Sequence, residues 1–113
     1  NKSNNYTIYY VAVDPFGNPW ILDNNGDIHQ YDGNKFVKRN KNTDQRAINI
    51  GIGADGVVFI VRLADDRLMR WNAANKNFDS LSSTVTATSI AVSPEGRPWI
   101  TDAAGLSVFK TRK

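Results

Sequence analysis

Val11-Ala-Val-Asp-Pro-Phe-Gly-Asn-Pro-Trp20-Ile21 returns twice in altered form along this chain. The second version is Ile50-Gly-Ile-Gly-Ala-Asp-Gly-Val-Val-Phe59-Ile60, and the third is Ile90-Ala-Val-Ser-Pro-Glu-Gly-Arg-Pro-Trp99-Ile100. The glycines Gly17, Gly56 and Gly96 stand 39 and 40 residues apart, and the aromatics Trp20, Phe59 and Trp99 keep the same spacings. Further on, Ile28-His-Gln-Tyr31 matches Leu68-Met-Arg-Trp71, with Leu106-Ser-Val-Phe109 in the third slot. Asn34-Lys-Phe36 likewise matches Lys76-Asn-Phe78. So many coincidences at one spacing define an internal repeat, the property of a sequence that most constrains its fold.

Each part of the unit has a physical meaning. The triplets Val11-Ala12-Val13, Ile50-Gly51-Ile52 and Ile90-Ala91-Val92 alternate large and small. In a strand both large residues then share one face, and the small residue lets a neighbouring sheet approach the other. Asp14-Pro-Phe-Gly17 and its copies are turn sequences, in which Gly supplies a positive φ. A short apolar strand follows, Pro19-Trp-Ile-Leu22 in the first unit. Asp23-Asn-Asn-Gly26 then closes a hairpin with the favoured Asn-Gly pair. Ile28 and Tyr31, or Leu68 and Trp71, mark a third strand, and a more polar fourth begins near Phe36 and Phe78. Units of three or four antiparallel strands repeated at this period predict an all-β fold of β-propeller blades, about three in this chain. A solenoid would need helical periodicity or an Asn/Leu ladder, and a β-sandwich has no reason to repeat its sequence.

The unit resembles the tectonin repeat, through Ile90-Ala-Val-Ser-Pro-Glu-Gly-Arg-Pro-Trp99-Ile and Asp27-Ile-His-Gln-Tyr31-Asp-Gly33. The resemblance covers most of residues 10–109. Phe59 replaces the tryptophan in the second unit, and the third unit lacks a fourth strand before Lys113. Tectonin propellers generally close with six blades. The expected organisation is therefore one partial propeller domain over 1–113, with units of about 10–46, 47–87 and 88–113. Residues 1–9 are a candidate closing strand, with Tyr6-Thr-Ile-Tyr9 pairing onto the third unit. An open half-ring would leave blade faces wet, so the resemblance implies an oligomer-completed ring or part of a larger propeller. The chain opens at Asn1 rather than Met, which suits a processed chain or a piece of a longer one.

Composition narrows the function classes. The chain is 41% hydrophobic and 22% charged, enough apolar material for a packed core. A net charge of +3 is too small to call for a nucleic-acid partner, although the pI is near 9.3. Lys35, Lys38, Arg39, Lys41 and Arg46 fall in one stretch, read as a solvated connection. There is no cysteine, hence no disulfide or thiolate metal site, and no apolar run long enough for a membrane-spanning helix. Sequons at Asn1-Lys-Ser3 and Asn5-Tyr-Thr7 leave the compartment open.

No hydrolase, zincin or phosphate-loop motif is present, so the sequence argues against an enzyme and implies no cofactor. His29, the single histidine, is expected at the surface, opposite Ile28. Asp23, Asn25 and Asp27 imitate a calcium loop. However, Ile28 stands where Gly is needed and Asn34 where the closing Glu belongs, so a hairpin turn explains them and no metal is expected. The candidate ligand-binding residues are Trp20, Asp23, Tyr31, Arg62, Trp71, Trp99 and Asp102. The aromatics occupy two repeated slots, so core packing accounts for them unless they are partly exposed. Asp23, Arg62 and Asp102 share a polar slot that varies between units, where recognition could be encoded. The tectonin resemblance implies surface-glycan binding in grooves between blades, with protein–protein scaffolding as the alternative.

Overall fold

The computed structural model describes residues 7–40, 43–81, 86–102 and 105–108. They form three antiparallel sheets in chain order. The first contains β1 (Ile8–Val13), β2 (Pro19–Asp23), β3 (Ile28–Tyr31) and β4 (Phe36–Lys38), paired in that order. A single turn of 3-10 helix, Thr43–Gln45, leads into the second sheet. That sheet contains β5 (Ala47–Ile52), β6 (Val58–Arg62), β7 (Leu68–Asn72) and β8 (Asn77–Ser80). The third contains β9 (Ser89–Val92), β10 (Pro98–Asp102) and β11 (Gly105–Val108).

The repeated sequence positions become repeated pairings. Ala12 lies opposite Trp20, Gly51 opposite Phe59 and Ala91 opposite Trp99, so each small residue shares a face with the aromatic of its unit. The first hairpins turn alike. Gly17, Gly56 and Gly96 have φ of 87°, 88° and 86° and donate their N–H groups to the carbonyls of Asp14, Gly53 and Ser93. Only glycine adopts that conformation without strain, which explains the strict spacing.

Alternation along the strands then sends side chains to two interfaces. Trp20, Leu22 and Ile28 of the first sheet pack with Ile50, Val58, Ile60, Met69 and Phe78 of the second. From the other face of the second sheet, Phe59, Val61 and Leu68 pack with Ala87, just before β9, and with Ile90 and Ile100 of the third. Strand β6 is covered on both sides, so it reads as an unbroken apolar run, Val-Phe-Ile-Val, rather than an alternating one. The small slot does what its size suggests. A Cβ on Gly51 would stand 3.1 Å from Val92 Cγ2 and 3.5 Å from Ile90 Cγ2. Backbone bonds repeat across the interfaces as well: Ala47 N–H donates to Gly26 O at 2.8 Å, and Ala87 N–H to Asp66 O at 2.9 Å.

Two sequence expectations need adjustment. Ile8 and Tyr9 do not edge the third sheet; they extend β1, with Ile8 opposite Asp23. Residues 1–6 of the candidate closing strand lie outside the described residues. His29 is buried rather than exposed, because its imidazole finds a carboxylate, that of Asp23, on the neighbouring strand.

Candidate functional site

The hairpin Asp23–Asp27 joins β2 to β3 and is built around one side chain. Asp23 Oδ1 accepts the backbone N–H groups of Asn25 at 2.9 Å and Asp27 at 3.0 Å, and Oδ2 lies 3.0 Å from His29 Nε2. A short acceptor at the first turn position satisfies N–H groups that the reversing backbone cannot pair. The calcium-like trio does not converge. Asp27 turns away, and its Oδ1 accepts from Asn40 Nδ2 at 2.9 Å and Arg46 Nε at 3.1 Å, with Lys38 Nζ at 3.8 Å. Burial pushes the Asp27 carboxyl up, but the bonds from Asn40 and Arg46 and the nearby cations outweigh this and hold it below the usual value. Arg39 donates to Gln30 Oε1 at 2.8 Å and lies 5.7 Å over the Trp71 ring. Arg39 and Arg46 of the basic stretch therefore tie the first sheet to the second; Lys41 lies outside the described residues.

Between this hairpin and the start of β5 runs a groove of about 290 Å³, lined by Tyr9, Asp23, Asn24, Asn25, Ile48 and Leu63 among others. Its floor is fixed, because Asp23 is buried and Ala47 is bonded to Gly26. Its rim is open: the Tyr9 ring and Leu63 are exposed, and so are Asn24 and Asn25. A tyrosine on β1 and two asparagines of the hairpin thus line one cleft.

The residues singled out by sequence are distributed unevenly. Trp20 and Trp71 meet edge to face, with centroids 5.8 Å apart, in the core between the first two sheets; Trp71 also lies 4.9 Å from Phe78. Trp20 is fully buried and Trp71 half-buried. Tyr31 lies against Phe36 at 5.2 Å on the opposite face of the first sheet. Arg62 forms a two-point pair with Asp65, at 2.9 and 2.6 Å. The Arg62 hydrogen bond holds the Asp65 carboxyl below its usual value. Trp99 is exposed on the far face of the third sheet. The Asp102 side chain lies outside the described residues. Of the seven, only Asp23 lines the groove. Sequence reasoning missed Tyr9, Asn24, Ile48 and Leu63. The Asn-Asn pair at the hairpin tip is the one local signal, because Tyr9 arrives by the pairing of β1 with β2, and Ile48 and Leu63 by packing of the second sheet.

No protein-family model matches the sequence, and none of the curated proteins matches it. Solved structures do. The WD40 repeats of RRP9 superpose with a TM-score of 0.62 at 14% identity, over 98% of this chain and 40% of that one. Virginiamycin B lyase from Staphylococcus aureus gives a TM-score of 0.59 at 13% identity, over 100% of this chain and 44% of that one. Both are β-propellers. The fold is a partial β-propeller. Its three sheets are blades, with β1, β5 and β9 as the first strand of each. The chain spans less than half the length of either neighbour. At these identities the likeness concerns architecture alone, and the lyase activity in the second name belongs to that protein.

Proposed function

We propose that this chain is a non-enzymatic, tectonin-like binding module and that the groove between its first two blades takes a carbohydrate. One observation carries the proposal: Tyr9, 69% exposed, lines the same cleft as Asn24 and Asn25. The C–H-rich face of a sugar stacks on an aromatic ring, and its hydroxyls need paired donors and acceptors of the kind a carboxamide offers. A volume near 290 Å³ lies at the small end of ligand sites, about 300–1,000 Å³, and suits one or two sugar rings. Asp23 fixes the hairpin rather than contacting ligand, since both of its oxygens are engaged. The single histidine lies buried against Asp23 instead of facing the cleft, which favours binding over acid–base chemistry.

A glycan array followed by titration of the strongest hit tests this. Tyr9→Ala and Asn24→Ala are each expected to weaken binding about tenfold or more, ~1.4 kcal/mol, with an unchanged circular-dichroism spectrum. An array without saturable binding, or a hit indifferent to both substitutions, would reject the groove. Protein–protein scaffolding is favoured instead by Phe16, 83% exposed at the tip of the first hairpin. A partner whose capture depends on Phe16 would support that reading.

A further inference from the structure

Asn25 is the one asparagine in this chain followed directly by glycine. A glycine nitrogen is the least hindered of backbone nucleophiles, so an Asn-Gly bond is where an asparagine side chain is most readily lost. Asn25 is exposed at the hairpin tip, yet the main-chain N–H groups around it are engaged. Its own N–H donates to Asp23 Oδ1 at 2.9 Å, the Gly26 N–H to Asp23 O at 3.0 Å, and the Asp27 N–H to Asp23 Oδ1 at 3.0 Å. Gly26 is also where blade one is stitched to the start of blade two. Its carbonyl accepts the Ala47 N–H at 2.8 Å, and a Cβ on Gly26 would stand 3.0 Å from Ala47 O and 3.1 Å from Arg46 Cβ.

We infer that Asn25 is a site of spontaneous covalent modification, deamidation, gated by the hairpin that Asp23 holds shut. In this reaction the Gly26 nitrogen gives its proton to hydroxide and bonds to Asn25 Cγ. The side-chain nitrogen takes a proton from water and leaves as ammonia. Water then opens the cyclic imide at either carbonyl, so the product is aspartate or isoaspartate. One water is consumed overall, one ammonia is released, and nothing is oxidised or reduced. In the closed hairpin the Gly26 N–H is committed to Asp23 O, and that bond must break before the nitrogen can reach Asn25 Cγ. The reaction therefore waits for local opening.

The two products differ in consequence. Aspartate leaves the main chain as it was. Isoaspartate routes the chain through the former side chain and adds one carbon–carbon bond, about 1.5 Å, ahead of Gly26. The close contacts of Gly26 with Arg46 and Ala47 leave no room for that length. Gly26 then cannot donate to Asp23 O and still present its carbonyl to Ala47, so the stitch between blades one and two is released. None of this depends on the groove's ligand.

Peptide mapping by mass spectrometry, on the full chain held in mildly alkaline buffer with and without urea, tests the inference. In urea Asn25 should convert ahead of every other asparagine, and in the folded chain it should convert about tenfold or more slowly. Asp23→Ala should speed conversion in the folded chain about fivefold or more and leave the rate in urea unchanged. In both chains conversion should follow hydrogen exchange at the Gly26 amide and not at Ile60, in the central strand β6. The isoaspartyl chain, separated by chromatography, should unfold at a lower urea concentration than Asn25→Asp, which carries the same charge on an ordinary main chain. Equal rates in the folded and unfolded chain, or conversion in step with Ile60 exchange, would overturn the gate. Earlier conversion of another asparagine in urea would overturn the site, and equal stability of the two product forms would overturn the release of the stitch.

Discussion

Phe59→Ala should destabilise the chain by about 3–5 kcal/mol, the cost of emptying an aromatic site in a close-packed interior. Phe59 is completely buried, and it sits in the interface between the second and third blades beside Val61, Leu68, Ile90 and Ile100. Gly51 opposite offers no side chain to fill the cavity, and β6 is held between two sheets, so collapse around the gap is restricted. Small domains have only about 5–15 kcal/mol in total, so this single change should bring the chain close to its unfolding threshold. The repeat supplies an internal control. Trp99 occupies the same slot but is 44% exposed, so Trp99→Ala should cost markedly less, about 1–2 kcal/mol. Urea titrations followed by circular dichroism would measure both. Equal losses at the two positions would mean that the blades do not stack as described.

Asp23→Ala should cost about 2–4 kcal/mol, because it strips an acceptor from two backbone N–H groups and a partner from a buried imidazole. The groups concerned are the N–H of Asn25 and Asp27 and the Nε2 of His29. Asp23→Asn keeps one oxygen for the turn and should lose markedly less, about 1 kcal/mol. The same denaturant titrations distinguish them. An alanine variant no weaker than the asparagine variant would show that the hairpin does not depend on this carboxylate. Since the hairpin walls the groove, the alanine variant should also lose any ligand that the groove binds.

The strands were legible in the sequence because each must solve the same packing problem three times. Ile28–Tyr31 appears as a strand at the residues expected, and the fourth strands begin at or beside Phe36 and Phe78. The alternation of Ile50, Gly51 and Ile52 also foretold which side of the second blade its neighbour approaches closely. The groove was not legible. Tyr9 and Asn24 meet through the pairing of β1 with β2 in blade one, and only the stacking of blades one and two brings Ile48 and Leu63 beside them. His29 was misplaced for a related reason. Its burial depends on Asp23, six residues earlier on the paired strand, and period two says which face a residue takes but not whether a carboxylate waits there. Trp71 illustrates the opposite case: its repeated slot argued for packing, and it lies among Trp20, Phe78 and Arg39.

The central claim is that three repeated blades stack through equivalent slots, and nuclear Overhauser contacts measured on the isotopically labelled chain test it most directly. The account predicts strong cross-peaks from the Val92 and Ile90 methyl groups to the α protons of Gly51, across the interface between blades two and three. It also predicts contacts between Trp20 and the side chains of Ile50 and Ile60, across the interface between blades one and two. Strand pairings within each unit without these cross-blade contacts would contradict it.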